Sequence, residues 1–329
     1  MKRLLLLILC CLLLGGCSFN MAESHLSTTA VPGTSPLLPE AVAAQSLSTT
    51  NEALLYYRYY DEPYLAAERR TILQSPSQAY EMALLTALIA GPSGRDDSLN
   101  ALFPEGTQVL STARQGRTLF VTLSKEIMDR YTDEDETISS ENAGSESVLR
   151  RQLCMQSLVA TVTENCNVDD VQILVEQGDD ATESMRMRQK YFLTTGDDTL
   201  LTTPQTRQDN FILTPENTLN VILNKWEMRD WSRLYRYMAS VDTSNGDTLM
   251  SQSDFVAAME ALPQLTGFTF EGGSVSADGQ IVTYTLNVTM ITADGQTLTR
   301  TGRVVRLCRE NDCWKITFSQ LTDWLEGAA

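Results

Sequence analysis

The sequence predicts an α+β protein, because segments with helical spacing of apolar residues are interspersed with segments in which polar and apolar residues alternate. The clearest strand covers residues 282–290, where five apolar residues alternate with three threonines and Asn287. The clearest helix follows Thr214-Pro215, since a capping residue stands before a proline at the first helical position. A length of 329 residues favours two folded domains, which we place at residues 51–213 and 214–329.

The first predicted domain has five strands and two helices. In chain order we expect strands at 53–60 and 65–73, a helix up to Gly91, strands at 108–113 and 118–123, a helix at 145–164 and a strand at 171–175. Ser75 is the expected N-cap of the first helix and Pro76 its first residue. This order indicates a sandwich with both helices on one face of a sheet. Residues 181–213 are either a strand-bearing extension or a linker.

The second predicted domain begins with helices and ends with strands. Helices are expected from residue 215 onward, at 230–238 and at 251–262, each with apolar residues on one side. Asp-Gly pairs at 277–280 and 293–296 predict hairpin turns on either side of the strand at 282–290. Helices followed by a long antiparallel meander indicate a sheet curved around a helix.

The N-terminus has the features of an export signal. Lys2 and Arg3 precede eleven apolar residues at 4–14, which are too few for a bilayer-spanning helix of about 20 residues. The following Leu14-Gly15-Gly16-Cys17 resembles the bacterial lipobox, in which the cysteine is diacylated and becomes the mature N-terminus. We therefore predict a signal peptide at 1–16, lipidation at Cys17 and a flexible linker at 17–50 rich in Ser, Thr, Ala and Pro. An ordinary signal peptide is the alternative.

Four cysteines remain after the predicted processing, in an extracytoplasmic setting that permits disulfides. If Glu310-Asn311 is a two-residue turn, Cys308 faces Cys313 across a hairpin at a spacing that a disulfide accepts. Two free thiols are the alternative. Cys154 and Cys166 lie too far apart along one helical pattern to form a bridge, so we expect both to be small buried residues.

The net charge and the histidine content exclude several classes of function. The net charge of −17 repels phosphate backbones, so we expect no nucleic-acid partner. The chain has one histidine, His25, in the predicted linker, which excludes multi-histidine metal sites and leaves little room for histidine acid–base chemistry. We predict no catalytic residues, no metal and no cofactor, and therefore no enzyme.

Two groups of residues are candidates for other sites. The acidic run at 133–136 has oxygen ligands for a hard cation but no turn-making glycine, so a solvated loop is the better interpretation. Trp226, Trp231 and Tyr235 form an aromatic cluster that predicts either a ligand or partner surface, or part of the core. Asp230, Asp254 and Glu260 stand at helix-capping or solvent-facing positions, which argues against an acid–base pair.

Several sequence segments of the first domain resemble the GerMN domain of bacterial sporulation and envelope lipoproteins. They are LLYYRYYD, the helix ending ALIAGP, LFPEGTQVLST, LFVTLSKEI, LVATVTEN and VDDVQILVEQG, within about residues 53–180. The resemblance implies a ring-building-motif-like α/β sandwich and assembly work in the cell envelope, without catalytic residues. The acidic insertion after LSKEI departs from the usual pattern.

The second domain resembles the nuclear-transport-factor-like, or cystatin-like, cone fold over about residues 214–323. The resemblance rests on TPENTLNVILNKWEMRDWSRLYRYM, SQSDFVAAME, the ADGQ hairpins and the closing CWKITF. It implies a second α+β domain, and members of such a fold have different functions.

The leading hypothesis is a non-catalytic envelope scaffold. The protein would be held by its lipid on the extracytoplasmic face of the plasma membrane, would bind envelope protein partners, and would act in sporulation, germination or envelope maintenance. The alternative is a ligand-binding lipoprotein whose C-terminal cone holds a small molecule, a muropeptide or a glycan.

Overall fold

A computed structural model describes residues 49–131, 140–178, 183–192, 199–242, 245–323 and 325. The predicted signal peptide, Cys17, the linker to residue 48 and the acidic run at 133–136 lie outside these residues. The strands are β1 (Thr49–Tyr59), β2 (Leu65–Gln74), β3 (Leu99–Asn100), β4 (Val109–Gln115), β5 (Thr118–Leu123), β6 (Asp170–Gln177), β7 (Glu183–Arg186), β8 (Gln205–Thr206), β9 (Gln264–Val275), β10 (Ile281–Ile291), β11 (Thr297–Glu310) and β12 (Cys313–Lys315). The α-helices are α1 (Tyr80–Ile89), α2 (Ser140–Asn165), α3 (Pro215–Glu227), α4 (Trp231–Leu234), α5 (Gln252–Glu260) and α6 (Phe318–Thr322). Short 3₁₀ helices cover Lys125–Met128, Gln189–Tyr191, Asp209–Phe211 and Tyr235–Tyr237.

The strands of the described residues form three sheets. Their orders are β2-β1-β3, β4-β5-β6-β7 with β8 also on β6, and β12-β11-β10-β9. The β5–β6 pair is parallel, and α2 lies between its strands in the chain, whereas the other pairs are antiparallel. The predicted α+β class is confirmed. Residues 181–213 contribute β7 and β8, so this segment bears strands.

Helix α2 is bonded through its side chains to the backbone of β1. Ser157, Thr161 and Asn165 follow one another at four-residue spacing, which places them on one side of the helix. Ser157 Oγ donates to Tyr56 O at 2.6 Å, and Tyr56 N donates to Thr161 Oγ1 at 3.1 Å. Asn165 accepts from Leu54 N at 3.0 Å and donates to Leu54 O at 2.8 Å. These side chains satisfy backbone groups that a neighbouring strand would otherwise satisfy.

Helix α1 begins later than predicted. Ser75 and Pro76 were expected to cap and open it, but residues 75–78 form a turn in which Gln78 N donates to Ser75 O at 3.0 Å. The helix begins at Tyr80 and its N-cap residue, Ala79, has no side-chain capping bond. Packing sets the position of this helix, whose buried residues are Ala83, Leu84, Leu85 and Leu88.

The elements of the C-terminal half agree better with the prediction. Thr214 caps α3 by accepting from Asn217 N at 3.2 Å, and Pro215 is the first helical residue. In β10 every second residue is buried, with Val282, Tyr284, Leu286, Val288 and Met290 facing the core. The expected helix at 230–238 is instead a four-residue α4 followed by a 3₁₀ turn.

The described residues, from 49 to 325, belong to one compact unit. Within the described residues, one hydrophobic cluster runs from Ala53 to Leu321 and so includes residues on both sides of residue 213. No helix in the described part of the chain is long and apolar enough to cross a membrane.

Candidate functional site

A buried lysine lies where the end of β1 meets β12. Lys315 is 7% exposed, and its Nζ donates to Arg236 O at 2.5 Å and to the hydroxyl of Tyr59. The Tyr59 hydroxyl donates in turn to Arg236 O at 2.5 Å. Two oxygens thus solvate an ammonium group that has been removed from water. Burial lowers the pKa of Lys315 and raises the pKa of Tyr59, because each charged form is poorly solvated in the protein interior.

Local sequence explains how these groups meet. Tyr59 is the last residue of β1 and is 1% exposed, and its ring lies 5.3 Å from that of Tyr237 between centroids. In β12, Cys313 and Lys315 are both buried, as expected for residues two apart on one face of a strand. The carbonyl of Arg236 belongs to the 3₁₀ turn after α4. Three separate segments therefore supply the ammonium and the two oxygens around it.

A buried carboxylate lies beside this contact. Glu62 is 2% exposed and accepts ion pairs from Lys225 Nζ at 3.3 Å, Arg236 Nη1 at 3.5 Å and Arg233 Nε at 3.6 Å. Its backbone carbonyl accepts a hydrogen bond from Arg58 Nε at 3.1 Å. Several cations around one desolvated carboxylate compensate for its burial, and all three belong to the segment from α3 to the turn after α4.

A cavity of about 470 Å³ opens next to these groups. Its polar and charged lining residues include Tyr60, Asp96, Arg236, Glu310 and Lys315. Glu310 accepts hydrogen bonds from Ser240 N and Oγ, both at 2.9 Å. Charges of both signs line the cavity, so it favours neither an anion nor a cation.

Two of the three residues of the predicted aromatic cluster are part of the core, whereas Tyr235 is partly buried and lines the cavity. Trp226 is 0% exposed and donates from Nε1 to Pro263 O at 3.3 Å, and Trp231 is 6% exposed with its ring 6.4 Å away. Tyr235 is partly buried and donates from its hydroxyl to Met250 O at 2.7 Å. Two of the three rings therefore present almost no surface to a ligand or partner.

The cysteine hairpin has a different register from the one predicted. The turn is Asn311-Asp312, with φ of 50° and 65°, so Glu310 pairs with Cys313 and Cys308 pairs with Lys315. The expectation that Cys308 faces Cys313 is therefore wrong. All four cysteines in the described residues, including the buried Cys154, are free.

The remaining candidates have local structural roles. Asp230 Oδ1 caps α4 by accepting from Arg233 N at 3.3 Å, and Asp254 accepts from Ser251 Oγ at 2.7 Å. No group of three or more His, Cys, Asp or Glu in the described part of the chain could hold a metal ion. Sequence reasoning missed the pair formed by Lys315 and Tyr59, which are 256 residues apart. The one signal was a lysine at an inward position of the strand CWK.

Comparison with known proteins identifies the N-terminal half. Residues 54–179 match the family model described as "Germane: Sporulation and spore germination". We call these residues the Germane domain, after the model that they match. The match confirms the resemblance predicted over about residues 53–180, whereas the C-terminal resemblance lies beyond it and stays a prediction. Among curated proteins, none matches the chain.

Three solved structures are similar to parts of the chain. A candidate lipoprotein from Clostridium perfringens is 20% identical, with a TM-score of 0.28, and the match covers 50% of this chain and 91% of that one. The tandem GerMN domains of the sporulation protein GerM from Bacillus subtilis are 20% identical, with a TM-score of 0.32, and the match covers 54% of this chain and 49% of that one. The protein Aln2 from a Streptomyces species is 16% identical, with a TM-score of 0.23, and the match covers 34% of this chain and 93% of that one. These similarities are too distant to support a functional argument.

The buried lysine contact joins the Germane domain to the rest of the chain. Tyr59 and Glu62 lie within the matched residues, whereas Arg236 and Lys315 lie beyond their end. A hydrogen-bonded ammonium and a multiply paired carboxylate thus lie on the boundary between the Germane domain and the C-terminal half. Such groups require accurate mutual positions.

Proposed function

We propose that this protein is a non-catalytic, lipid-anchored component of the bacterial cell envelope that serves as a scaffold in sporulation, germination or envelope maintenance. The observation that carries the proposal is the Germane domain at residues 54–179, whose family is described by sporulation and spore germination. The positively charged and apolar start of the chain, followed by Leu14-Gly15-Gly16-Cys17, supports export and lipidation at Cys17 on the extracytoplasmic face of the plasma membrane.

The boundary between the halves supports a scaffold rather than a hinged device. The ammonium of Lys315 and the carboxylate of Glu62 are both buried and are bonded by groups from the opposite half of the chain. Opening this boundary would separate Lys315 from the Tyr59 hydroxyl and Glu62 from all three of its cations, so these bonds favour the closed arrangement. The Germane domain would therefore carry the C-terminal half in a fixed orientation and present the surfaces of both to envelope partners.

Replacing the predicted lipidated cysteine tests the anchor. We expect Cys17→Ala to leave the membrane fraction, because a protein without acyl chains loses its membrane attachment. Cys11→Ala is the matched control, since it changes a cysteine of the predicted signal peptide that is removed before the mature protein forms. If Cys17→Ala stays with membranes as firmly as Cys11→Ala, lipid anchoring is wrong.

Cross-linking in intact cells tests the scaffold role. We expect the parent and Cys11→Ala to be recovered from membranes in cross-linked complexes with envelope proteins, and Cys17→Ala to lose them. In a spore-forming host that carries the gene, heat-resistant colony counts should fall when Cys17→Ala replaces the parent. Recovery of the parent as an isolated monomer, with unchanged spore counts after deletion of the gene, would contradict the proposal.

A further inference from the structure

Strand β11 contains a bulge that is held by a side chain of β10. Arg303 lies opposite Leu286 and Arg300 lies opposite Val288, so Thr301 and Gly302 together face the single residue Asn287. Gly302 N donates to Asn287 Oδ1 at 2.8 Å, and Gly302 has a φ of +66°, in the left-handed region that glycine adopts easily. The bulge is thus built by a glycine and a dedicated side-chain acceptor.

The bulge places two arginines on the same face of the sheet. In a regular strand, residues three apart point to opposite faces, and the one extra residue of the bulge reverses this for Arg300 and Arg303. Both are half-buried, whereas Thr301 and Gly302 between them are exposed. They occupy consecutive positions on the face shared with the buried Leu286 and Val288, about 7 Å apart along the strand.

Neither Arg300 nor Arg303 forms an ion pair among the described residues. The Nε atoms of Arg300 and Arg303 are buried without a hydrogen-bond partner, and within the described residues neither guanidinium has a carboxylate within 4.0 Å. Arg300 Nη1 donates a long hydrogen bond to Thr299 O, at 3.5 Å. A buried donor without a partner is unfavourable, because it has lost its hydrogen bonds to water.

We propose that Arg300 and Arg303 form a binding site for an oxyanion, the carboxylate or phosphate group of a soluble small molecule. Guanidinium groups bind such oxyanions through paired, charge-assisted hydrogen bonds, and two neighbouring guanidiniums can bind one group. An incoming anion would accept hydrogen bonds from the Nη donors of these half-buried side chains and would offset the like charges of the two arginines. The site lies in the C-terminal half, outside the Germane domain, so it is independent of the scaffold proposal.

Calorimetric titration of the full-length protein in detergent tests this site, with inorganic phosphate and acetate as probes at constant ionic strength. We expect saturable binding of at least one probe to the parent. Arg300→Gln and Arg303→Gln should each weaken this binding at least tenfold, and Arg303→Lys should weaken it as well, because lysine lacks the planar fork. Arg306→Gln is the matched control, since Arg306 lies on the same strand but on the exposed face, and its affinity should stay within twofold of the parent.

Deletion of Thr301 tests the role of the bulge separately. Without the extra residue, Arg300 and Arg303 are two residues apart in a regular strand and stay on the same face, so a folded deletion variant should still bind the anion. Loss of binding in that variant would contradict a site formed by the two side chains. Circular dichroism establishes whether each variant is folded. If the deletion variant does not fold, the two glutamine variants decide whether the arginines bind the anion. Absence of saturable binding to the parent, unchanged binding in Arg303→Gln, or equal weakening in Arg306→Gln would overturn the proposal.

Discussion

Replacing Tyr59 by phenylalanine should weaken the boundary between the Germane domain and the C-terminal half. The substitution keeps the ring that packs against Tyr237, but it removes the hydroxyl that accepts from Lys315 Nζ and donates to Arg236 O. Lys315 then remains buried with one oxygen partner fewer. Because a hydrogen bond to a charged group contributes about 1.5–3 kcal/mol, we expect Tyr59→Phe to lower the free energy of unfolding by about 2–3 kcal/mol.

Urea denaturation measures this change as a shift in the midpoint at constant slope. Tyr60→Phe is the matched control, since Tyr60 is the next residue, is only half-buried, and its hydroxyl has no hydrogen bond to the part of the chain that the structure describes. The free energy of unfolding of this variant should differ from that of the parent by less than about 0.5 kcal/mol. In a Lys315→Met background, the cost of Tyr59→Phe should fall, because no ammonium is left to solvate. If Tyr59→Phe unfolds like the parent, or if its cost is unchanged beside Met at position 315, the ammonium does not depend on this hydroxyl.

Three further predictions concern buried charges and thiols. Glu62→Gln should lower the free energy of unfolding by about 3 kcal/mol or more, because it leaves three cations around a neutral group. Glu52→Gln is the control; it removes an exposed ion pair at 3.6 Å and should change the free energy of unfolding by less than about 1 kcal/mol. Equal effects of the two substitutions in urea denaturation would contradict the role of Glu62 as a buried partner of three cations. Since burial lowers the pKa of Lys315, the unfolded chain binds more protons between that lowered pKa and the ordinary value of 10.5, so the parent should gain stability relative to Lys315→Met as the pH rises through this window. Peptide mapping without reduction should find Cys308 and Cys313 as alkylated thiols. Cys313 should react slowly in the native protein, because burial raises its pKa to about 12. A linked Cys308–Cys313 peptide would show that the hairpin has another register.

The strands and helices with strong local signals could be predicted from the sequence. The alternation in 282–290 defines a half-buried strand, and Thr214-Pro215 combines a capping side chain with a proline where no backbone donor is needed. Ser75-Pro76 carries the same kind of signal but forms a turn, because the helix after it is positioned by the burial of Leu84, Leu85 and Leu88. A capping motif indicates where a helix can begin, and tertiary packing decides whether it does.

The site residues could not be predicted, because their environment comes from distant parts of the chain. Tyr59 and Lys315 read as ordinary strand residues until the fold brings their side chains together. Trp226 and Trp231 illustrate the converse, since a helical spacing of aromatics gives the direction of the side chains but not what covers them. The Arg300–Arg303 pair depends on a one-residue bulge, and a regular alternation would have assigned the two side chains to opposite faces.

The hydrogen bonds from α2 to β1 limit the ways in which this protein can assemble. An open strand border with free amides and carbonyls invites another chain to extend the sheet. Along this part of β1 that route is closed, because Ser157, Thr161 and Asn165 already occupy the groups that an added strand would need. Any higher-order structure that grows by sheet extension must therefore start elsewhere, for example at β4 or β9, which are among the strands at the ends of their sheets.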